Sequence, residues 1–257
     1  MGVKTPLSLQ EAQAIFPEYA IVTLEATTNG IMDTTYIAIS GTKQSYILKK
    51  YERDLGAKIQ ADAALLSYLH TQGLNTPLLL AAAPPWYLYT KLSGSSPKHA
   101  TLSHINALGR FVAHLHNATR TYSTPYDFFD HYPIKTILRG FKKSHFYHYK
   151  KFAPLLKHRQ TNDGFIHGDL FCDNILFHNN TIAVFDFIDG GNGNFAFDLG
   201  VALFACNPHN KKSYTTLLLK AYNQQAKKKI HVKELLQQRQ RAQQFYELLR
   251  FKRKTVV

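Results

Sequence analysis

The chain of 257 residues has two cysteines, two methionines, one tryptophan and 17 acidic residues against 31 lysines and arginines. Each scarcity excludes something. Two cysteines, Cys172 and Cys206, could form one bridge but no disulfide framework, and reduced thiols fit a cytoplasmic protein. Long apolar runs are also missing. A membrane helix needs about 20 apolar residues, and the longest candidate, "LLLAAAPPWYLY", is cut by Pro84 and Pro85. The start, "MGVKTPLSLQEAQAIF", has neither an unbroken apolar stretch nor a small-residue cleavage site, so no signal peptide is expected. H-E-x-x-H, C-x-x-C, G-x-x-x-x-G-K-S/T and G-x-S-x-G are all absent, which removes the usual signs of zinc hydrolysis, P-loop chemistry and a serine nucleophile elbow.

What is present is a globular composition: 45% apolar residues, 17 phenylalanines and 15 tyrosines, enough for one large domain or two modest ones. The formal charge of +14 is uneven, because from His209 onward thirteen Lys or Arg face only Glu234 and Glu247, a net +11. Leu235, Leu236, Phe245, Leu248 and Leu249 in that tail have amphipathic spacing. The tail reads as the solvated basic face of a C-terminal helix, with a contact to an anionic partner as the alternative.

Along the chain, "SLQE" from Ser8 has the form of a capping box and opens a short helix that ends before Pro17. "TTYIAIS" and "SYILKKYE", joined around Gly41, read as antiparallel strands with Tyr36, Ala38, Tyr46 and Leu48 on alternating faces. A helix is expected over 57–70, another strand in "WYLYTKL", a linker in "SGSSP" and a helix in "SHINALGRFVAHLHNATR". An aromatic, basic segment, "FKKSHFYHYKKF", precedes the most informative stretch.

That stretch is "FIHGDLFCDNILF", 165–177, followed by "FDFIDGG". Carboxylates inside apolar strands are costly without a purpose. His167, Asp169 and Asn174 have the spacing H-x-D-x-x-x-x-N, and Asp186 follows a hairpin turning at Asn179 and Asn180. A phosphoryl-transfer site needs this set: one carboxylate beside the acceptor hydroxyl, and an amide oxygen and second carboxylate to hold Mg²⁺ against ATP phosphates. Asp169 is the expected base, Asn174 and Asp186 the metal ligands, and His167 a further catalytic candidate that could instead bond the backbone. Asp173 and Asp189 read as turn residues, and Asp198, in "FAFDLGVALFA", as a helix N-cap that could also brace the catalytic loop. Lys49, on the second strand, is the candidate phosphate cation, with Lys50 on the other face and Asp62 the candidate acid to orient Lys49.

"FIHGDLFCDNILF", "VFDFIDGG" and "FDLGVALFA", with the strand ending in Lys49, "GLNTP", "KLSG" and "LGRFVAHLH", resemble the aminoglycoside phosphotransferase-like branch of the protein-kinase-like fold. More narrowly, H-G-D-L-F-x-D-N-I-L-F followed by D-F resembles homoserine kinase of the bacterial threonine pathway. The resemblance implies an α+β, two-lobe fold: a small antiparallel-sheet nucleotide-binding lobe over 1–92, and a larger, mainly helical catalytic lobe over 93–257 that carries the catalytic β-hairpin. It also implies ATP at a hinge near Leu88 to Leu92, including Tyr89 and Lys91. Where that family tends to read G-I-E-N-T-N-Y, this chain reads "GIMDTTY", with Met32, Asp33 and Thr35 at the changed positions.

The resulting expectation is a cytoplasmic, ATP- and Mg²⁺-dependent kinase for the hydroxyl of L-homoserine, as a monomer or weak homodimer with no membrane or nucleic-acid partner. Choline, an aminoglycoside, a thiosugar or another amino alcohol are alternative acceptors. A non-catalytic nucleic-acid or anion-binding protein is the alternative of another class.

Overall fold

The computed structural model describes residues 3–28, 32–157, 161–179, 181–207 and 209–255. Gly30, of the "GIMDTTY" segment, and Asn180, of the hairpin turn, lie outside them. The chain divides into two compact units, Met1–Ser93 and Gly94–Val257.

In the first unit, helix α1 (Leu9–Ile15) is opened by the capping box read from the sequence: Ser8 accepts from Glu11 N, and the Glu11 carboxylate accepts from Ser8 N. Five strands follow, β1 (Ile21–Ala26), β2 (Thr34–Ser40), β3 (Ser45–Lys50), β4 (Leu79–Ala83) and β5 (Trp86–Thr90), with helix α2 (Lys58–Thr71) between β3 and β4. They form one antiparallel sheet in the order β1-β2-β3-β5-β4. The β2–β3 register sets Tyr36 opposite Leu48 and Ala38 opposite Tyr46. The period of two puts all four, with Trp86 and Leu88, in the core under α1. Burying each large side chain contributes about 1.5–3 kcal/mol. Lys49, one residue on from Leu48, therefore lies on the opposite face.

The second unit is built on α3 (Leu102–Thr119), whose Ile105, Leu108, Val112 and Leu115 recur at 3.6-residue spacing and are all buried. After α3 come α4 (Ile134–Ser144), α5 (Phe146–Phe152), β6 (Gly164–Ile166), β7 (Ile175–His178), β8 (Thr181–Val184), β9 (Gly191–Gly193), α6 (Phe195–Cys206), α7 (Lys212–Gln225) and α8 (Val232–Thr255). Phe128, Phe129, Phe197 and Phe245 pack with ring centroids 5.0 to 6.0 Å apart, in the range aromatic pairs favour. α6 crosses α8 so closely that a Cβ on Gly200 would stand 2.8 Å from Arg239 N. Among the described residues, no helix is long and apolar enough to cross a membrane.

The catalytic hairpin pairs β7 with β8, while β6, the strand "FI", pairs with β9. The boundary between the two units falls within "SGSSP", where the linker was expected, and Ser95 exchanges two backbone hydrogen bonds with Phe177 at 3.0 and 3.1 Å. Two expectations need correction. The basic tail forms two helices, α7 and α8, and Leu236 of α8 is exposed while Leu235, Phe245 and Leu248 are buried. Asp198 is not the N-cap of α6. Asn194 is, accepting from Phe197 N at 2.8 Å, and Asp198 lies one turn inside the helix.

Candidate active site

β6 ends at Ile166 and the chain turns sharply through His167, Gly168 and Asp169. Gly168 has φ +76°, and an added Cβ would collide with the ring of Phe128, so only glycine fits this position. Asp169 is half-buried. Asn174, closing the 3-10 turn Cys172–Asn174, donates from Nδ2 to both the backbone O and Oδ2 of Asp169, each at 2.9 Å. The Phe185 N–H donates to Asn174 O at 3.1 Å, which brings the residue before Asp186 against the same turn. Asp186 itself takes φ 69° and ψ 52°, left-handed backbone that a non-glycine residue adopts at a cost of about 1–3 kcal/mol.

Burial pushes the Asp169 carboxyl above its ordinary range. The neighbouring charges of Asp186 and Asp173 add to this, while His167 and the Asn174 hydrogen bond oppose it. Its carboxylate is thus in electrostatic contact with Asp186. The cluster offers one amide oxygen and adjacent carboxylates, hard donors that suit Mg²⁺. Among the described residues, no group of three His, Cys, Asp or Glu forms a metal site of its own.

The backbone engages both ring nitrogens of His167: Nδ1 accepts from Asp169 N at 3.1 Å and Nε2 donates to Phe185 O at 3.0 Å. These are the backbone bonds that the sequence left open beside a catalytic role, and they position the turn. The loop is held further by Asp198, fully buried in α6, which accepts from Gly168 N at 2.7 Å and His167 N at 3.1 Å. Tyr246 of α8 donates to Gly168 O, and burial pushes its hydroxyl well above the ordinary tyrosine range. Tyr246 was silent in the sequence, one of several aromatics in a tail rich in polar residues.

In the first unit, Lys49 Nζ lies 3.5 Å from Asp33 Oδ2 and 4.7 Å from the centre of the Tyr51 ring. Asp33 also accepts from Glu52 N at 3.2 Å and stands 3.9 Å from Arg53. Sequence reasoning named Asp62 as the orienting acid; the structure adds Asp33, of the unusual "MDT", as a second carboxylate placed beside the ammonium. Asp62 is buried on α2, and its charge and that of Lys49 act in opposite directions on the hydroxyl of Tyr89, which burial raises first of all. Tyr89 meets Tyr51 hydroxyl to hydroxyl at 3.0 Å. The Leu88 side chain belongs to the core, and its strand is paired on both flanks. Lys91 follows the end of the strand and is exposed.

Sequence comparison finds homoserine kinases. That of Polaromonas naphthalenivorans is 26% identical across 79% of this chain and 72% of its own length. That of Nitrobacter hamburgensis is 26% identical across 88% of this chain and 78% of its own. Structural comparison finds amicoumacin kinase hAmiN, in complex with AMP-PNP, Ca²⁺ and Ami, at TM-score 0.69 and 16% identity, covering 95% of this chain and 92% of that one. Macrolide 2'-phosphotransferase MphH from Brachybacterium faecium aligns at TM-score 0.68 and 16% identity, covering 95% and 93%. These likenesses show the protein-kinase-like fold, with an antiparallel-sheet lobe and a helical lobe. The model of the Phosphotransferase enzyme family matches residues 23–228, so the chain belongs to that family and is a phosphotransferase with an alcohol group as acceptor.

Proposed function

We propose that the protein transfers the γ-phosphoryl group of ATP to the side-chain hydroxyl of L-homoserine, giving O-phospho-L-homoserine on the route to threonine. The observation that carries the reading is the double hydrogen bond from Asn174 Nδ2 to Asp169. One amide orients the base and leaves its own oxygen as a ligand. In this reading Asp169 aligns the acceptor hydroxyl and takes its proton as the phosphoryl group departs from ADP. Asn174 and Asp186 would hold Mg²⁺, which supplies charge neutralisation for the nucleotide phosphates. Lys49, beside Asp33, would offset negative charge on nucleotide phosphates, and Tyr89 and Lys91 would contact the nucleotide. Most of the acceleration comes from positioning and fixed charge.

Two things favour L-homoserine. The curated relatives named homoserine kinase are more similar in sequence than the antibiotic kinases that share the fold. A polycationic aminoglycoside would call for an acidic pocket, and this chain has 17 acids against 31 lysines and arginines. The test is ADP release with Mg²⁺-ATP against L-homoserine, L-serine, L-threonine, choline and kanamycin, with Asp169→Asn as control. Turnover on L-homoserine that falls by about 10³-fold or more in the control, with ATP still bound, is expected. Turnover on a different alcohol moves the acceptor; turnover that survives in Asp169→Asn removes the base.

A further inference from the structure

Cys172 opens the 3-10 turn that ends in Asn174, and Cys206 is the last residue of α6. Both are free thiols, with their Sγ atoms 3.1 Å apart. Cys206 is buried and Cys172 half-buried. A cavity of 270 Å³ is lined by both cysteines and by Lys98, His99, His209 and Lys211, with no carboxylate among its described lining residues, while the charge of neighbouring Asp173 acts on both thiols. Its walls are fixed. Asn207 and Lys211 exchange two hydrogen bonds at 2.8 and 2.9 Å, and Tyr214 donates to Ala100 O at 2.7 Å. Phosphoryl transfer as described above uses neither the thiols nor this cavity.

We propose that Cys172 and Cys206 form a thiol–disulfide exchange site for small disulfides that carry carboxylates, and that the resulting bridge slows phosphoryl transfer. Lysines on the cavity wall match carboxylates of such a reagent, and Cys172 is the more accessible sulfur. The Cys172 sulfur, its proton lost to solvent, attacks one sulfur of the disulfide; the S–S bond breaks and one small thiolate leaves and takes up a proton. Cys206 then attacks the Cys172 sulfur, its proton passing to the second departing thiolate. Two protein thiols are oxidised and one small disulfide is reduced to two thiols, so no other oxidant is needed.

The coupling to catalysis is short-ranged. Cys172 and Asn174 share one three-residue 3-10 turn, and Asn174 Nδ2 donates to the Asp169 carboxylate at 2.9 Å, so a covalent tether on Cys172 pulls on the turn that places both groups. The effect on turnover rests on the phosphoryl-transfer reading; the exchange site does not.

The experiment treats the full chain with oxidised glutathione, alkylates the remaining thiols and maps peptides without reduction. Expected are joined Cys172 and Cys206 peptides without retained glutathione, a fall in ADP release of tenfold or more, and recovery with dithiothreitol. In Cys206→Ser, glutathione should stay on Cys172. Neutral 2-hydroxyethyl disulfide should react several-fold more slowly than oxidised glutathione at low salt. Unreacted thiols, glutathione retained on Cys172 of the unaltered chain, a bridge that leaves turnover unchanged, or equal rates for both reagents would each overturn the proposal. The mapping needs no activity, so a reduced protein silent on every alcohol counts against the phosphoryl-transfer reading alone.

Discussion

His116 Nε2 lies 3.1 Å from the carboxylate of Asp198, both side chains almost wholly buried. Tyr222 closes the other side, its hydroxyl 2.9 Å from His116 Nδ1, and the Phe195 ring stacks on the imidazole with centroids 4.0 Å apart. Asp198 thus gathers one side-chain donor and the two backbone N–H groups of His167 and Gly168. A helix that is apolar on every side holds one carboxylate, which shapes the turn carrying Asp169.

Asp198→Ala should therefore cost both stability and rate. It strands three buried donors at once, and removing one partner of a buried charged network costs about 3–5 kcal/mol. Urea unfolding should show the loss, and the folded fraction should have a reduced kcat at nearly unchanged KM for ATP. Asp198→Asn keeps one acceptor oxygen and should fall between the two. An alanine variant with unaltered midpoint and kcat would mean the turn holds itself.

Gly168→Ala tests the same turn from its backbone. The new Cβ would need left-handed φ and would run into the Phe128 ring, which belongs to the aromatic core. A destabilisation of about 1–3 kcal/mol is expected, with catalysis reduced further than the stability loss explains. Gly140, where an added Cβ meets nothing within 4 Å, is the matched control; alanine there should be neutral or slightly stabilising.

The residues that escaped sequence reading share a physical cause. His116 is 82 positions from Asp198 and 106 from Tyr222, and no local pattern encodes contacts so distant. β1 alternates poorly because most of its residues are exposed at the sheet edge, and β4 is a short alanine-rich run. β9 is Gly-Asn-Gly, with no strand propensity at all; only its pairing with β6 makes it a strand. What was legible was local: the Ser8 capping box, the β2–β3 alternation, and the spacing of Asp169 and Asn174, which a single tight turn converts into contact.

Lys49 and its acid separate two readings of the first unit. Lys49→Met should raise the KM for ATP and lower kcat, by about 10²-fold together, if the ammonium meets phosphate. Asp33→Asn removes the carboxylate 3.5 Å from that ammonium but keeps the hydrogen bond from Glu52 N, so a smaller loss is expected, mainly in KM. Asp62→Asn should be measured beside it. The larger loss identifies the carboxylate that sets the lysine, and equal, negligible losses from both would show that Lys49 needs neither.

Acid stability gives a last test, again in the first unit. Glu52 accepts from Thr34 Oγ1 at 2.6 Å and from Thr5 Oγ1 at 2.8 Å, and Lys50 Nζ stands 3.6 Å away. The Thr34 hydrogen bond is the main cause of a carboxyl held below its ordinary value of 4.5. A folded-state pKa below the unfolded one means the folded chain binds its proton less readily. The stabilisation is therefore complete above about pH 4.5 and is lost as pH falls through the lower, folded value. Glu52→Gln should be less stable than the unaltered chain at pH 7, and the gap in urea midpoint should close steadily below pH 4.5. A gap independent of pH over that window would assign the stabilisation to shape and neutral hydrogen bonding, because only the ionised carboxylate gives the difference its slope.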